Sequence, residues 1–312
     1  EWDVAARCII SRLEKVVSHS TEAVARDAKK RPRLAFVSPF PPVKSGISEY
    51  SAQLLPMLAQ YYQIEVIVDQ ELVRDPRIDG IFPVHSAEWF EKNAGTFDRV
   101  LYHFGNSSAH KYMHNLLRKV PGIVVLHDFY LMDWEVGGRL KESSNIVIRN
   151  HGVRALIEGL QLDSEAISKW SIPANLEVLQ NATGIIVHSQ ESRRLGTEWY
   201  GEGATEDWSV VPLLRPAVEV TPQDRVDARA RLGFEEDDLV ICSFGHVTST
   251  KLGITLLSAF KAAQFSDGQS VKLVFVGELE RSYESAFQAE NKSWPGQIGH
   301  VTGWVDTHEY HD

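Results

Sequence analysis

From Leu34 onward this chain alternates short, almost unbroken apolar runs with longer segments whose apolar residues recur every three or four positions. The short runs are Leu34-Ala35-Phe36-Val37, Ile64 to Val68, Asp98 to His103, Gly122 to His127 and Gly184 to His188. A strand that is apolar at every position has both faces buried, and that is the signature of a parallel sheet covered by helices. The spacing predicts a helix from Ile47 to Tyr61 and further helices between the later strands. Val210-Val211-Pro212 closes this series as a short strand, and Pro212 to Pro222 reads as a linker.

A second series then begins. Arg225 to Leu232 is predicted as a helix stopped by Gly233, a residue suited to a left-handed cap. Leu239 to Phe244, Val271 to Val276 and Gly299 to Val305 are predicted strands, with helices over Ile254 to Ala263 and Arg281 to Ala289. The 312 residues fit two domains at about 150 residues each. The expected division is 33–216 and 217–312, both Rossmann-like. Residues 1–32 precede them as an amphipathic helix, Glu1 to Ala28, and a basic stretch, Lys29-Lys30-Arg31-Pro32-Arg33, that reads as a solvated linker.

Charge narrows the function classes. Lys plus Arg number 32 and Asp plus Glu 42, giving a net charge of −10 that argues against a general nucleic-acid binder. Cys8 and Cys242 are too few for a disulfide scaffold and too far apart for a metal knuckle, so a reduced, cytoplasmic setting is expected. Cys242, inside an apolar run, is expected to behave as a small core residue. No stretch approaches the ~18 apolar residues of a membrane span.

Three loops carry candidate chemistry. Ser38 to Tyr50 leaves the first strand and enters a helix, where parallel sheets bind ligands. Ser45-Gly46 there would let backbone N–H groups approach an anion, and Glu49 would cap those groups or orient a ligand hydroxyl. With neither a Gly-x-Gly-x-x-Gly run nor a Gly-Lys-Ser/Thr loop at this place, dinucleotide oxidoreductases and P-loop NTPases lose weight. A tight structural turn explains the loop equally well. Tyr102-His103-Phe104-Gly105-Asn106 and Leu126-His127-Asp128 end adjacent strands, so His103 and His127 should reach one rim. A lone strand-end histidine is more often a satisfied core residue. Two on one rim with Asn106 and Asp128 favour function. Zinc is disfavoured, because no cysteine or close carboxylate completes a ligand set. The third loop is Phe244-Gly245-His246-Val247-Thr248-Ser249-Thr250-Lys251, where Gly245 permits close approach and Lys251 can face a phosphate.

Together these loops resemble the family-four retaining glycosyltransferases, which use the GT-B fold. The matching residues are Pro41-Pro42-x-x-Ser45-Gly46-Ile47-x-x-Tyr50, Leu126-His127-Asp128 and Ile186-Val187-His188-Ser189. Phe244-Gly245-x-x-x-x-x-Lys251, Val274-Phe275-Val276-Gly277 and Thr302-Gly303-Trp304-Val305 complete the ordered set, over roughly residues 33 to 312. The stretch from Tyr102 to Asp128 is similar to bacterial O-antigen and lipopolysaccharide enzymes, mannosyltransferases among them.

The resemblance implies an α/β, GT-B chain that moves a hexose from a nucleotide-diphosphate sugar to a growing polysaccharide or lipid-linked glycan. It implies no cofactor or metal beyond that donor substrate. Ser45, Gly46, Gly245, His246 and Lys251 would hold the diphosphate, with Lys251 neutralising the leaving group. Gly277, Glu278, Gly303, Trp304 and Val305 would border the nucleotide. His127 and Asp128 would be catalytic, beside the donor sugar. His103, Asn106 and Glu49 would meet the acceptor. It also implies work at the inner face of the cytoplasmic membrane, with the basic linker as a peripheral contact.

Three departures accompany the likeness. His246 stands where the family usually carries Arg. The family's Glu-x7-Glu pair is expected beyond residue 312, so the second domain is expected to be truncated. Glu1-Trp2-Asp3-x-Ala5-Ala6-Arg7 looks like the closing helix of a preceding module, as in a tandem enzyme. The alternative from another class is a non-catalytic GT-B module that binds a glycan or partner as a scaffold.

Overall fold

The computed structural model describes residues 6–11, 31–132, 144–161, 171–213, 221–263, 265, 270–292 and 299–303. The chain forms two compact units, Glu1–Pro216 and Ala217–Asp312.

The first unit is built on β1 (Arg33–Val37), β2 (Gln63–Val68), β3 (Val84–Ser86), β4 (Arg99–Phe104), β5 (Ile123–Leu126), β6 (Gly184–Val187) and β7 (Ser209–Val210). They lie in the order β3-β2-β1-β4-β5-β6-β7, every pair parallel. Side chains alternate between faces with period two. Leu34, Phe36, Leu101, Ile123, Val125 and Ile186 pack on one face, and Ala35, Val37, Tyr102, Phe104, Val124, Leu126 and Val187 on the other. The unbroken apolar runs are thus two cores written in one register. The first face is covered by α1 (Gly46–Leu58) through Tyr50, Leu54, Leu55 and Leu58. Ala6 and Ile9, in the helical residues 6–11, join the same core. The second face is covered by α2 (Ala87–Asn93), which buries Phe90, by α3 (Lys111–Lys119), which buries Met113, Leu116 and Leu117, and by α4 (Ser144–Leu160), α5 (Leu176–Asn181) and α6 (Gln190–Tyr200), which bring Ile146, Val147, Val178 and Leu195 to the same core.

The second unit holds β8 (Leu239–Phe244), β9 (Val271–Val276) and β10 (Gly299–Val301), parallel in the order β10-β9-β8. Its core joins Leu257 and Phe260 of α8 (Gly253–Ala262), Phe287 of α9 (Arg281–Lys292) and Leu273 and Phe275 of β9.

Several elements differ from expectation. β3 was unforeseen, because Val-His-Ser is too short and polar to carry an apolar signal. The first helix ends at Leu58. The helix α7 (Pro222–Leu232) starts three residues before Arg225, since Thr221 and Asp224 form a reciprocal cap. Cys242 is exposed, not a core residue, because β8 is an edge strand among the described residues and pairs only with β9. Most of the expected helix over residues 1–28 and most of the linker over 212–222 lie outside the described residues, as does the end of the strand expected at Gly299 to Val305.

Leu252 precedes α8 with φ 57 and ψ 32, a left-handed conformation in a residue left 62% exposed. An L side chain pays ~1–2 kcal/mol there, partly offset by the entropy a glycine would lose. Leu252→Gly should therefore raise stability by about 1 kcal/mol, read as a higher urea midpoint at unchanged slope.

Candidate functional site

The sheet order reverses between β1 and β4, and ligands of such sheets bind beyond the strands' carboxyl ends near that point. The loop after β1 is tightly held there. The Ser38 hydroxyl lies 2.7 Å from that of Ser51. The Gln70 side chain accepts from the Phe40 N–H at 3.0 Å and donates to the Phe40 carbonyl at 2.9 Å. Arg74 N–H donates to the Pro41 carbonyl. Ser45 then caps α1 by accepting from Ile47 N–H at 3.2 Å. Gly46 is exposed, and a Cβ there would meet nothing within 4 Å. This helix entrance is open.

Glu49 does not cap that entrance. Both its oxygens are taken by Arg77, at 2.9 and 3.0 Å, and Oε1 also accepts from Gln53. Burial alone would raise the Glu49 carboxyl, but hydrogen bonds from Arg77 and Gln53 and the Arg77 charge outweigh it and leave it lowered. Arg77 bridges onward to Asp75, so Glu49 is a neutralised member of an ion network rather than a bare carboxylate.

The other rim of the reversal is a row of histidines. Odd-numbered positions of β4 and β5 and even-numbered positions of β6 share the α1 face. The strand-end residues His103, His127 and His188 continue that parity. His103 Nδ1 lies 3.0 Å from His127 Nε2, and His127 Nδ1 lies 3.1 Å from His188 Nε2. The Tyr50 ring from α1 stands over all three, at 5.9, 5.2 and 5.5 Å between centroids, and Phe36 stacks on His103 at 4.6 Å. Burial, reinforced by the neighbouring imidazoles, holds His103 and His127 well below the usual histidine range. Burial lowers His188 too, against the hydrogen bond to the Val211 carbonyl. All three are neutral at pH 7.

Asp128 does not hold His127. Its Oδ2 accepts the Asn106 backbone N–H at 2.8 Å, tying the loops after β4 and β5 together. Gly105 makes this possible, since a Cβ there would sit 2.2 Å from Ile47, 2.9 Å from His110 Nε2 and 3.3 Å from Asp128 Oδ2. Of the predicted residues, the structure thus gathers His103, Asn106, His127 and Asp128. Asp128 is exposed, Asn106 and His127 are half-buried, and His103 has no exposed surface. His188 was missed as a site residue. Its strand-end position and parity, shared with His103 and His127, were the signal that could have found it.

In the second unit the predicted residues lie at the carboxyl ends of three adjacent strands. Gly245 N–H donates to Val276 O and Val247 N–H to Glu278 O, each at 2.9 Å. Gly277 N–H donates to Thr302 Oγ1 at 3.2 Å. Gly277 has φ 153, and a Cβ would lie 2.1 Å from the Gly245 carbonyl oxygen. His246 and Lys251, in the segment after β8, and Glu278, in that after β9, are exposed. Gly303 follows Thr302, while Trp304 and Val305 lie outside the described residues.

Two outcomes follow. Gly277→Ala should cost ~1–3 kcal/mol, because the loops after β8 and β9 must part, and a lower urea midpoint would register it. Burial also drops His110, which follows β4, to about 4, against about 6.5 in an unfolded chain. Between those values the unfolded state binds a proton that the folded state refuses. Stability is therefore complete above pH 6.5 and declines as pH falls toward 4, by about 1.4 kcal/mol per pH unit for one such group. His110→Gln should flatten the decline measured by urea unfolding from pH 7 to 4; an unchanged slope would remove His110 as a source.

No family model and no curated protein matches the chain. Solved structures do. HepE from Anabaena, in complex with UDP and glucose, matches at 12% identity and TM-score 0.59, over 88% of this chain and 70% of that one. HepE with UDP alone matches at 13% and 0.54, over 88% and 69%. WaaG, a glycosyltransferase involved in lipopolysaccharide biosynthesis, matches at 13% and 0.51, over 88% and 71%. At such identities the likeness is one of fold. The chain has the α/β architecture of the GT-B glycosyltransferases, with parallel Rossmann-like sheets in both its units.

Proposed function

We propose that the chain is a glycosyltransferase that moves a hexose from a nucleotide-diphosphate sugar to a glycan or lipid-linked acceptor, with retention at the anomeric carbon. The observation that carries this reading is the junction in the second unit. Gly277 has no room for a side chain, since a Cβ there would lie 2.1 Å from the Gly245 carbonyl oxygen, and exposed His246 and Lys251 follow in the segment after β8. Backbone without side chains next to a permanent cation suits a diphosphate. That HepE is solved with UDP and glucose on the same fold supports a nucleotide sugar as the donor.

In this reading the bond from the anomeric carbon to the diphosphate oxygen breaks. A bond from the acceptor oxygen forms on the same face, and the acceptor's proton passes to the leaving diphosphate. Lys251 neutralises the charge that develops there, and His246 adds a hydrogen bond. Ser45 and Gly46 offer the open entrance of α1 to the phosphates, and Gly277, Glu278 and Gly303 border the nucleotide, with Trp304 and Val305 continuing that border. Asp128 and His127 stand beside the donor sugar, while His103, Asn106 and Glu49 belong to the acceptor side. A mannosyl donor, O-antigen or lipopolysaccharide synthesis, a tandem enzyme and peripheral contact at the inner membrane face are the finer parts of the proposal. Among the described residues no helix is long and apolar enough to cross a membrane.

The second reading is a non-catalytic GT-B module, favoured by His246 in place of the family's arginine. A thermal-shift series with UDP, GDP, ADP and dTDP, and with UDP-glucose and GDP-mannose, separates the two. A ligand that binds only the folded state raises the melting temperature according to its concentration over Kd. A shift selective for one nucleotide is expected, and no shift with any supports the module. Lys251→Ala should weaken that nucleotide by on the order of 1.5–3 kcal/mol, the range for a lost charged hydrogen bond, with the fold intact by circular dichroism. Unchanged affinity in calorimetry removes Lys251 from the site. His127→Ala should abolish transfer while nucleotide affinity is retained.

A further inference from the structure

The histidine row is anchored at one end on a backbone carbonyl, and that anchor decides where every proton lies. His188 Nδ1 is 2.8 Å from the Val211 oxygen. A carbonyl only accepts, so His188 carries its proton on Nδ1 and donates it there. A neutral imidazole has one N–H, which leaves His188 Nε2 a bare acceptor. His127 Nδ1, 3.1 Å away, must then be the donor. His127 Nε2 is bare in turn and accepts from His103 Nδ1 at 3.0 Å. The row ends at His103 Nε2, buried and without a hydrogen-bond partner among the described residues. A reversed row would protonate His188 on both ring nitrogens or leave the Val211 carbonyl facing a bare nitrogen, so the order of donors runs one way.

We propose that His188 is a positioning residue: braced on the Val211 carbonyl, it holds His127 as the Nδ1–H tautomer, with both ring nitrogens of His127 spent inside the protein. This rests on the reading of His127 as a site residue and sharpens its role. The His127 ring neither gives a proton to substrate nor takes one, in keeping with an acceptor proton that leaves on the diphosphate. What the row supplies is placement. It pins the main chain at the end of β5, from which Asp128 projects to meet the Asn106 N–H. Burial favours the neutral imidazoles: Phe36 stacks on His103 and the Tyr50 ring stands edge-on to His127.

Histidine-selective 15N labelling of the whole chain reads the tautomer of each ring by long-range proton–nitrogen correlation at pH 7. Single His→Gln variants identify the signals among the 12 histidines. His103, His127 and His188 should all be protonated on Nδ1 and bare on Nε2. A proton on Nε2 of His127 or His188 in the unsubstituted chain overturns the proposal, and that spectrum needs no variant to fold. In His188→Gln the side-chain carbonyl can accept from His127, which should stay Nδ1–H. In His188→Leu there is no acceptor, and His127 should become a mixture of tautomers. An unchanged His127 in the leucine variant also overturns the proposal.

With a donor identified, His188→Leu should lower kcat on the order of a hundredfold, the cost of a small misplacement near a reacting centre. The donor KM should hardly move, and His188→Gln should recover most of the rate. Nucleotide-selective binding and turnover test the transferase reading, while the tautomer spectra decide the role of His188 independently of both.

Discussion

A parallel sheet buried on both faces leaves polar chemistry nowhere to go but its ends. In the first unit the period-two alternation fills both sides of β1, β4, β5 and β6 with aliphatic and aromatic groups. An unpaired polar group between those layers would cost several kcal/mol, so the polar residues collect where the strands stop. Ser38, His103, His127 and His188 are all strand-end residues. Their common face follows from parity and strand register, without any further constraint. The covering helix then does the rest. Because α1 starts beside the same edge, its Tyr50 closes over the histidines that the sheet has lined up.

The loops at this edge are fixed by local accounting of hydrogen bonds. A helix entrance exposes N–H groups that must find acceptors, and a chain turning from a buried strand must keep its own carbonyls satisfied. Gln70 answers for Phe40, Ser45 for Ile47, and Asp128 for Asn106. The consequence is a rim whose backbone is set before any ligand arrives. Glu49 shows the opposite arrangement. A carboxylate one turn into the helix is claimed by Arg77 and Gln53, so its charge is spent on holding the segment after β2 against α1.

The strands were legible because their signal is simple. An apolar run of four to six residues followed by a polar strand end leaves little choice of element, and the rim shared by His103 and His127 followed from strand adjacency. What escaped depends on partners far away in sequence. Nothing local in Val-His-Ser says strand; β3 exists because the edge of β2 accepts it. Cys242 lies in as apolar a run as Val274, yet one is on an edge strand and the other is central. Glu49 beside a helix entrance suggests a cap, and only the fold brings Arg77 from 28 residues on to claim it. His188 was visible as part of a strand end. Its meaning needed the register of β5 with β6, which sets it across from His127.

Taken each by itself, the two units offer different electrostatics to the proposed reaction. A leaving diphosphate needs a positive charge that does not vanish with pH. The imidazoles of the first unit cannot provide it, since burial keeps them neutral and their nitrogens face one another. On the proposed reading Lys251, exposed in the second unit, is the group that supplies it. A neutral, rigid wall is in turn the better neighbour for a sugar whose anomeric carbon becomes cationic as its bond breaks. On the proposed reading an imidazolium there would raise the barrier to transfer, so a row that holds His127 neutral through His188 suits a wall that faces the sugar.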